Sequence, residues 1–301
     1  MVFVALNALA LVAWQAIPFS QVSEERYLAA AADHIAMLQG SKGQPGRVVL
    51  LGGSGVAFSI SAEQLGETLG RPVYNGGIQA SIGFRNLTDL YLPHLDPEKD
   101  TIVIVPELQL IDLDERYTST YCDVVFLLKR VDLLANRPRC VPQIIHRTWS
   151  EIRYHAQGIE ASNPIYRRSG FNEVGDLTSH LTVDHAAPDL RESALTPITK
   201  ERLARFEAYV RNTLIAQGFD VVVIPAAVPE AICDRDSSHF QKILDRLDRL
   251  NGPRALKPDG RDFCLAETLF FDGAIHLDAG GRKIQTASVR RYLGRFFENV
   301  E

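Results

Sequence analysis

The chain has 301 residues, of which 46% are hydrophobic and 23% are charged, a composition ordinary for a globular protein that buries a sizeable core. Its formal net charge is -5, so it lacks the broad basic field that nucleic-acid binding requires. No block of like charge and no internal repeat is present in the sequence. The length accommodates one large domain or two small ones.

The N-terminal stretch is unusually apolar. Residues 1–20 carry no charged side chain, and residues 2–17 are apolar except for Asn7 and Gln15. This length lies between a signal-peptide core and the roughly 20 residues that span a bilayer. Because a basic n-region and a good cleavage site are both missing, we expect residues 1–20 to be an uncleaved membrane anchor. The rest of the chain would then lie on the extracytoplasmic (periplasmic) face. A buried N-terminal helix is the alternative.

Four cysteines form two local pairs, Cys122 with Cys140 and Cys233 with Cys264. An even number of cysteines in local pairs favours two disulfides formed in an oxidising compartment. None of them belongs to a C-x-x-C motif, so the pattern does not indicate zinc. Four buried free thiols are the alternative, because cysteine also serves as a small core residue.

Apolar, β-branched runs alternate with segments of helical periodicity along most of the chain. Strands are expected at residues 47–51, 72–75, 101–105, 220–225 and 263–266. Helices are expected at residues 23–38, 61–69, 84–95, 199–217, 239–250 and 280–297. This alternation predicts a parallel sheet covered by helices on both faces.

Residues 107–198 interrupt the alternation. They are rich in Tyr, Arg, Pro and Asn and are too many for a simple connection in a compact domain. We therefore expect an insertion of about residues 107–198 in a single domain of residues 21–301, forming a lid or a substrate surface. Its aromatic side chains either stack on sugars or pack the insertion onto the sheet; they include Trp149, Tyr154 and Tyr166.

The first predicted strand ends in Gly52 and Gly53, and Ser54 follows at once. Ligands and reacting groups collect at this edge of open parallel α/β sheets. The glycines on either side of Ser54 lack Cβ atoms, so a substrate can approach the hydroxyl closely. A dinucleotide loop would need a third glycine where Phe58 stands, and a P-loop would need a Gly-Lys-Ser/Thr ending. A plain strand-to-helix turn with an N-cap serine is the other alternative.

A second polar segment lies just before the last predicted helix and contains Asp272 and His276. A histidine in such a loop can act as a general base, and a nearby carboxylate can hold its Nδ1–H. A serine hydroxyl is a weak nucleophile and needs such a partner. The sequence therefore predicts a catalytic triad of Ser54, His276 and Asp272.

These segments resemble the SGNH/GDSL hydrolase superfamily, in which the nucleophile follows the first strand and an Asp/His pair precedes the C-terminal helix. Residues 52–55 (GGSG) look like the nucleophile block, residues 75–77 (NGG) like the second block, and His276 like the last. The resemblance implies a flavodoxin-like three-layer α/β/α fold with a central parallel sheet. It also implies an oxyanion hole made by the N–H groups of Ser54 and Gly77, and no cofactor.

The chain departs from the family pattern in two places. Asp272 precedes His276 by four residues, where the family has three, so either a bulged turn absorbs the extra residue or the orienting carboxylate is a different one or absent. The third block should hold an asparagine, but residues 105–109 read VPELQ. Gln109 is the candidate replacement donor, since the loss of one oxyanion donor costs on the order of 2.7–4 kcal/mol.

An N-terminal anchor, an SGNH-like domain and a large insertion together resemble the membrane-attached branch of the superfamily. That resemblance implies acyl transfer or ester hydrolysis on acetylated extracytoplasmic glycans, beside a membrane-bound O-acyltransferase. The candidate substrate-binding residues are Asn75, Asn172 and Asp176, with His180 nearby; an Asx-type turn and a surface histidine are the alternative for the last three. An inactive SGNH-like scaffold or glycan-binding subunit of a polysaccharide modification or export complex is the alternative function, and a dinucleotide-binding module is a third.

Overall fold

A four-stranded parallel sheet forms the centre of the fold. The computed structural model describes residues 2–107, 118–160, 163–188, 190, 199–251 and 260–298. The order of strands in the central sheet is β2-β1-β3-β4, with all three pairings parallel. The strands are β1 (Val48–Gly52), β2 (Val73–Asn75), β3 (Thr101–Val105) and β4 (Asp220–Val223). The predicted positions of these four strands are confirmed to within two residues.

Helices cover both faces of this sheet. Every residue of β1 and β3 is buried, and alternate side chains of a strand point to opposite faces, so neither face is left open to solvent. The architecture is α/β and is compatible with three α/β/α layers. The described α-helices are α1 (Val2–Ala16), α2 (Gln21–Glu24), α3 (Ala30–Gly40), α4 (Ser54–Ser59), α5 (Ala62–Leu69), α6 (Phe84–Tyr91), α7 (Thr118–Leu128), α8 (Val131–Asn136), α9 (Val141–Gln157), α10 (Lys200–Tyr209), α11 (Glu230–Arg235), α12 (Ser237–Asn251) and α13 (Ala279–Glu298).

The bounds of α5 follow from its sequence. The Ser61 hydroxyl accepts a hydrogen bond from the Gln64 N–H at 3.3 Å, which satisfies one of the free donors at the start of the helix. Gly70 ends the helix in the left-handed conformation, with φ +63°. Both ends agree with the predicted helix at residues 61–69. The contact between α5 and β2 then fixes this helix on the sheet.

Two predicted helices are interrupted. The helix expected at residues 23–38 breaks at Arg26, whose extended backbone separates α2 from a 3₁₀ turn and α3. The helix expected at residues 84–95 ends as α-helix at Tyr91, because Pro93 cannot donate the next backbone hydrogen bond. A short 3₁₀ turn completes that segment.

The predicted fifth strand does not belong to the central sheet. Within residues 263–266, β6 (Cys264–Leu265) pairs in parallel with β5 (Val228–Pro229), away from β4. Pro229 has no N–H to continue the ladder, so this pair stays short. The next two strands, β7 (Phe270–Gly273) and β8 (His276–Leu277), form a separate antiparallel hairpin. This hairpin delivers the histidine of the candidate site.

Residues 118–157 of the insertion are largely helical and share the main core. Helices α7, α8 and α9 lie within it, and buried side chains of α7 join the same apolar cluster as β1 and β3. Trp149 is 43% exposed on α9, whereas Tyr166 packs against that cluster. Residues 118–157 therefore fold as helices whose apolar side chains are buried against the domain, and the expectation that the insertion forms a lid or a substrate surface stays a prediction.

The apolar N-terminal stretch forms α1, which packs on α9. Ala10 and Trp14 are buried, and the Trp14 Nε1–H donates to the Phe126 carbonyl oxygen at 2.9 Å. Leu9 and Val12, on another side of the helix, are more than half exposed. Among the described helices, none combines the length and apolar character needed to cross a bilayer.

Both local cysteine pairs are disulfides. Cys122 is bonded to Cys140 and Cys233 to Cys264. The first joins α7 to the start of α9, and the second joins α11 to β6. The alternative of four free thiols is excluded, and each bond closes a loop next to the domain core.

Candidate active site

Ser54 lies at the carboxyl end of β1, as its sequence position predicts. It is the first residue of α4, and its residue exposure is 9%. Gly52 leaves no room for a side chain, because a Cβ at this position would lie 2.6 Å from the Val105 carbonyl oxygen of the adjacent strand. The close approach of β1 and β3 therefore presents the serine at the edge of the sheet.

Ser54, His276 and Asp272 form one hydrogen-bonded chain. His276 Nε2 lies 2.8 Å from Ser54 Oγ, and His276 Nδ1 lies 2.6 Å from Asp272 Oδ1. The nitrogens face the two groups that a nucleophile–base–carboxylate relay requires. The structure thus brings together the three residues predicted to be catalytic, although 218 residues separate the serine from the aspartate in sequence (272 minus 54).

The four-residue spacing between Asp272 and His276 is accommodated by the β7–β8 hairpin. Gly273 pairs with His276 and Phe270 with Leu277, and the register shifts between these two pairs. The irregularity places Asp272 beside the imidazole despite the extra residue. Of the two alternatives that the sequence leaves open, the bulged turn is the one present.

Tyr166 is a fourth member of the hydrogen-bonded chain, and it comes from the insertion. Its hydroxyl donates to Asp272 Oδ2 and lies 3.1 Å from His276 Nδ1. Burial acts to raise the pKa of Asp272, but hydrogen bonds from His276 and Tyr166 outweigh it and lower that pKa below its usual value. The carboxylate is therefore held in its charged form, which stabilises an imidazolium.

Phe58 fixes the plane of the imidazole. It lies one helical turn after Ser54 on α4, and its ring stacks on His276 with centroids 4.0 Å apart and planes 15° apart. His180 packs 4.5 Å from the same phenyl ring and is buried rather than superficial. Burial, followed by the charge of Arg282, lowers the pKa of His180 to about 4, so it is neutral at physiological pH.

The predicted oxyanion donors differ in whether they are free to donate. The N–H of Ser54 belongs to the first turn of α4, where no intrahelical acceptor exists. The N–H of Gly77 donates instead to Asn75 Oδ1 at 2.9 Å, so the prediction that it is a free donor is not supported. Gln109 lies outside the described residues. Ser54 is thus the one predicted donor that the described part of the chain leaves available.

Asn75 and Asp176, predicted to bind substrate, are structural instead. Asp176 is fully buried and forms an ion pair with Arg282 at 3.2 Å. It also accepts hydrogen bonds from the Ala62 N–H at 2.9 Å and from Asn75 Nδ2 at 3.0 Å. The Asn75 side chain is equally buried. Its Nδ2 also donates to the carbonyl oxygens of Val56 and Ile60, and its Oδ1 accepts the Gly77 N–H. Neither side chain is open to a ligand, because the buried polar groups satisfy one another.

Asn172, the third predicted substrate contact, forms a local turn. Its Oδ1 accepts from the Asp176 N–H at 2.8 Å and from the Val174 N–H at 3.2 Å. This is the Asx-type turn that the sequence offers as the alternative. Gly175 has φ +84° within the same turn, where a side chain would meet the Asn75 carbonyl oxygen. The turn therefore positions Asp176 rather than a ligand.

Glu107 is a site residue that the sequence reading did not single out. It follows β3 by two residues, it is 3% exposed, and its Oε1 accepts the Gly55 N–H at 2.6 Å. Burial raises its pKa, while the Gly55 N–H and the charge of His276 oppose that rise. The sequence did hold a signal for Glu107, because it lies within residues 105–109, where the family pattern has a polar oxyanion donor.

A small cavity lies beside Gly53, the residue that precedes Ser54. Its volume is about 20 Å³, room for one or two water-sized groups, and Gly52 and Gly53 form one wall. The opposite wall is mostly apolar, and the polar side chains that line it are Gln79 and Glu107. The apolar residues are Ala80, Phe84, Leu87, Pro106 and Phe206. Such a space accepts a methyl group more readily than a long chain.

Comparisons with known proteins give no assignment: no protein-family model, no curated protein and no solved structure matches this chain. Among the described residues, no cluster of three or more His, Cys, Asp or Glu side chains is arranged to hold a metal ion. The chemistry of the site therefore has to be argued from its own geometry. A serine hydrogen-bonded to a histidine that is oriented by a carboxylate can perform nucleophilic acyl transfer.

Proposed function

We propose that this chain is a serine-dependent esterase or O-acyltransferase of the SGNH hydrolase type. The observation that carries the proposal is the hydrogen-bonded chain from Ser54 through His276 to Asp272. The parallel sheet of order β2-β1-β3-β4, with Ser54 following β1, supports the flavodoxin-like arrangement that the resemblance implies.

In the proposed reaction, Ser54 Oγ attacks the carbonyl carbon of an ester while His276 Nε2 accepts the hydroxyl proton. The Ser54 N–H stabilises the oxyanion of the tetrahedral intermediate. Cleavage of the ester bond releases the alcohol, which takes the proton from His276, and leaves the acyl group on Ser54. Water or a sugar hydroxyl then attacks this acyl-serine and gives its proton to His276. The bond between the acyl group and Ser54 Oγ breaks, His276 returns the proton to Oγ, and the carboxylic acid or the acylated sugar leaves.

The cavity beside Gly53 supports a short acyl group, such as acetyl. A methyl group would face its apolar wall, which includes Phe84 and Phe206. A volume of about 20 Å³ suits a short acyl group better than a long one. The preference for acetyl esters in this proposal rests on that volume.

The proposed substrates are acyl esters of extracytoplasmic glycans. The two disulfides support an oxidising compartment, because cytosolic thiols are kept reduced. Attachment to a membrane through residues 1–20 rests on the apolar sequence of that stretch, and cooperation with a membrane-bound O-acyltransferase rests on the family resemblance. They stay predictions, as does the identity of the acceptor.

An SGNH-like scaffold or glycan-binding subunit without efficient chemistry is the second candidate. The feature that favours it is the oxyanion side of the site: the Gly77 N–H already has an acceptor, and a carboxyl group stands next to Gly55. The closed Ser54–His276 contact favours the enzyme, because a scaffold has no need of a serine and an imidazole 2.8 Å apart.

A fluorophosphonate probe and an aryl acetate test the proposal on the full chain. We expect wild-type protein to be labelled and to hydrolyse the ester, and both signals to vanish in Ser54→Ala and His276→Ala. Ser169→Ala, which changes an exposed serine bonded to Glu25, should behave as wild type. Absence of labelling in folded, disulfide-bonded wild type would reject the enzyme and leave the scaffold.

A further inference from the structure

Glu107 contacts the nucleophile loop from both sides of Ser54. Its Oε1 accepts the Gly55 N–H, and its Cδ lies 2.7 Å from where a Cβ of Gly53 would be. A Cβ on Gly55 would lie 3.1 Å from the same Oε1. The two glycines around the serine are therefore needed to admit this carboxyl group, which is part of the site and not merely near it.

Within the part of the chain that the structure describes, the second oxygen of this carboxyl group has no hydrogen-bond partner. Glu107 Oε2 is buried, and no lysine or arginine among the described residues forms an ion pair with Glu107. Glu107 also lines the cavity beside Gly53. A buried carboxylate without a cation is strongly disfavoured, whereas a buried carboxylic acid needs only an acceptor for its proton.

The titratable groups that face Glu107 do not supply a compensating fixed charge. His276 lies on β8, and Tyr27 lies in the 3₁₀ turn before α3. The Tyr27 hydroxyl donates a hydrogen bond to the Ile78 carbonyl oxygen at 2.6 Å. Burial is the largest influence on Glu107 and raises its pKa, against the smaller opposing effects of the Gly55 N–H and His276.

We propose that Glu107 is a neutral carboxylic acid whose Oε2–H donates a hydrogen bond to the oxyanion formed on the Ser54-bound acyl group. This inference rests on the proposed esterase or acyltransferase function. It provides the second donor that Gly77 does not offer and fills the place of the asparagine missing from residues 105–109. An ionised carboxylate in the same position would repel the oxyanion, so the proton is required for catalysis and stays on Glu107 throughout.

Difference infrared spectroscopy tests the protonation state directly. The spectrum of wild type minus Glu107→Gln at neutral pH should contain the carbonyl band of one protonated carboxyl group. Raising the pH should remove this band from wild type. Absence of the band at neutral pH overturns the proposal whether or not the protein is active.

Kinetics with the aryl acetate test the donor role. Removal of the donor in Glu107→Ala should lower kcat about 10²–10³-fold, the usual effect of losing one oxyanion donor. Glu107→Gln keeps an N–H donor that cannot ionise, so its loss should be at least tenfold smaller. The alkaline fall of kcat that accompanies loss of the infrared band in wild type should be absent from this variant. The control is Glu151→Gln, a buried carboxylate on α9 that is bonded to Ser20 and Ser23.

The outcomes separate this inference from the function on which it rests. Two results with an active wild type overturn the inference but not the proposed function. One is an equal loss of kcat in Glu107→Gln and Glu107→Ala. The other is an alkaline fall of kcat that persists in Glu107→Gln. A wild type that is neither labelled at Ser54 nor active overturns the proposed function and the oxyanion role with it. The isosteric glutamine variant keeps the test decisive if the alanine variant does not fold.

Discussion

Single side chains from distant segments orient the imidazole of His276. Asp272 and Tyr166 form hydrogen bonds on its Nδ1 side, and Phe58 stacks on its face. The hydrogen bonds and the stacking together restrict rotation of the imidazole ring, so its Nε2 atom stays directed at Ser54. The tyrosine acts by positioning, since it touches the aspartate and the histidine rather than the serine.

We predict that Tyr166→Phe lowers kcat for the aryl acetate about tenfold with little change in KM. The variant removes the hydroxyl that donates to the charged Asp272, a contact whose loss costs on the order of 1.5–3 kcal/mol. Steady-state kinetics beside Tyr74→Phe provide the check, because the Tyr74 hydroxyl bonds to Gln44, which lies outside the site. An unchanged kcat in Tyr166→Phe would mean that the hydroxyl does not position the relay.

At the scale of elements, a buried polar joint connects the insertion to the sheet and to two helices. Asp176, in the insertion, bonds to Asn75 at the end of β2 and to Ala62 at the start of α5, and it pairs with Arg282 of α13. These elements carry the loops around Ser54 and His276. The joint therefore fixes the two halves of the site relative to each other.

Replacement of Asp176 by alanine is expected to lower the free energy of unfolding by about 3–5 kcal/mol, because it leaves a buried arginine without its ion pair. Denaturant unfolding measures this change. Glu173→Ala, an exposed substitution in the same turn, should stay within about 0.5 kcal/mol of wild type. Equal effects of the two substitutions would show that the joint adds nothing to stability.

At the scale of the whole molecule, buried neutral histidines couple stability to pH. His34 is 1% exposed on α3, its Nδ1 lies 3.1 Å from the Tyr91 hydroxyl, and burial lowers its pKa to about 4. His180 has a similarly lowered pKa. In the unfolded chain a histidine has its ordinary pKa near 6.5. Between these two values the unfolded chain binds more protons, so stability falls as the pH falls from about 6.5 to about 4.

We expect His34→Gln to reduce the loss of stability between pH 7 and pH 5 by about 2 kcal/mol, since glutamine does not titrate in this range. Denaturant titrations at the two pH values measure the difference. His146→Gln, an exposed change on α9, should leave the pH dependence as it is in wild type. A wild-type curve that is flat over this range would contradict a neutral buried His34.

The central parallel sheet and the candidate catalytic residues were largely predictable from the sequence, whereas the side chains that support those residues were predictable only in part. Ser54 follows a β-branched run and a glycine pair, which are local signals, and His276 lies just before the last helix. Phe58 had a usable signal, because a residue one turn after Ser54 shares its helix face. Tyr166 had none, since its contact depends on how the insertion folds back.

The mistaken predictions have a common physical cause. Asn75 ends a strand and Asp176 lies in a loop, and a sequence does not tell whether such polar groups face solvent or satisfy one another in the interior. Helix α9 was missed for a related reason. Its residues Ile144, Thr148 and Glu151 are buried at helical spacing, but the Arg, Pro and Tyr residues around them hide that spacing in the sequence. Packing against the core decides both cases.

The most direct test of the central claim is capture of the acyl-enzyme. The full chain is mixed with the aryl acetate, quenched in acid and digested, and the peptide that contains Ser54 is analysed by mass spectrometry. We predict one acetyl group on Ser54 in wild type and none in Ser54→Ala or His276→Ala. Turnover of the ester by wild type with an unmodified Ser54, or with acetyl on another residue, would contradict nucleophilic catalysis by this serine.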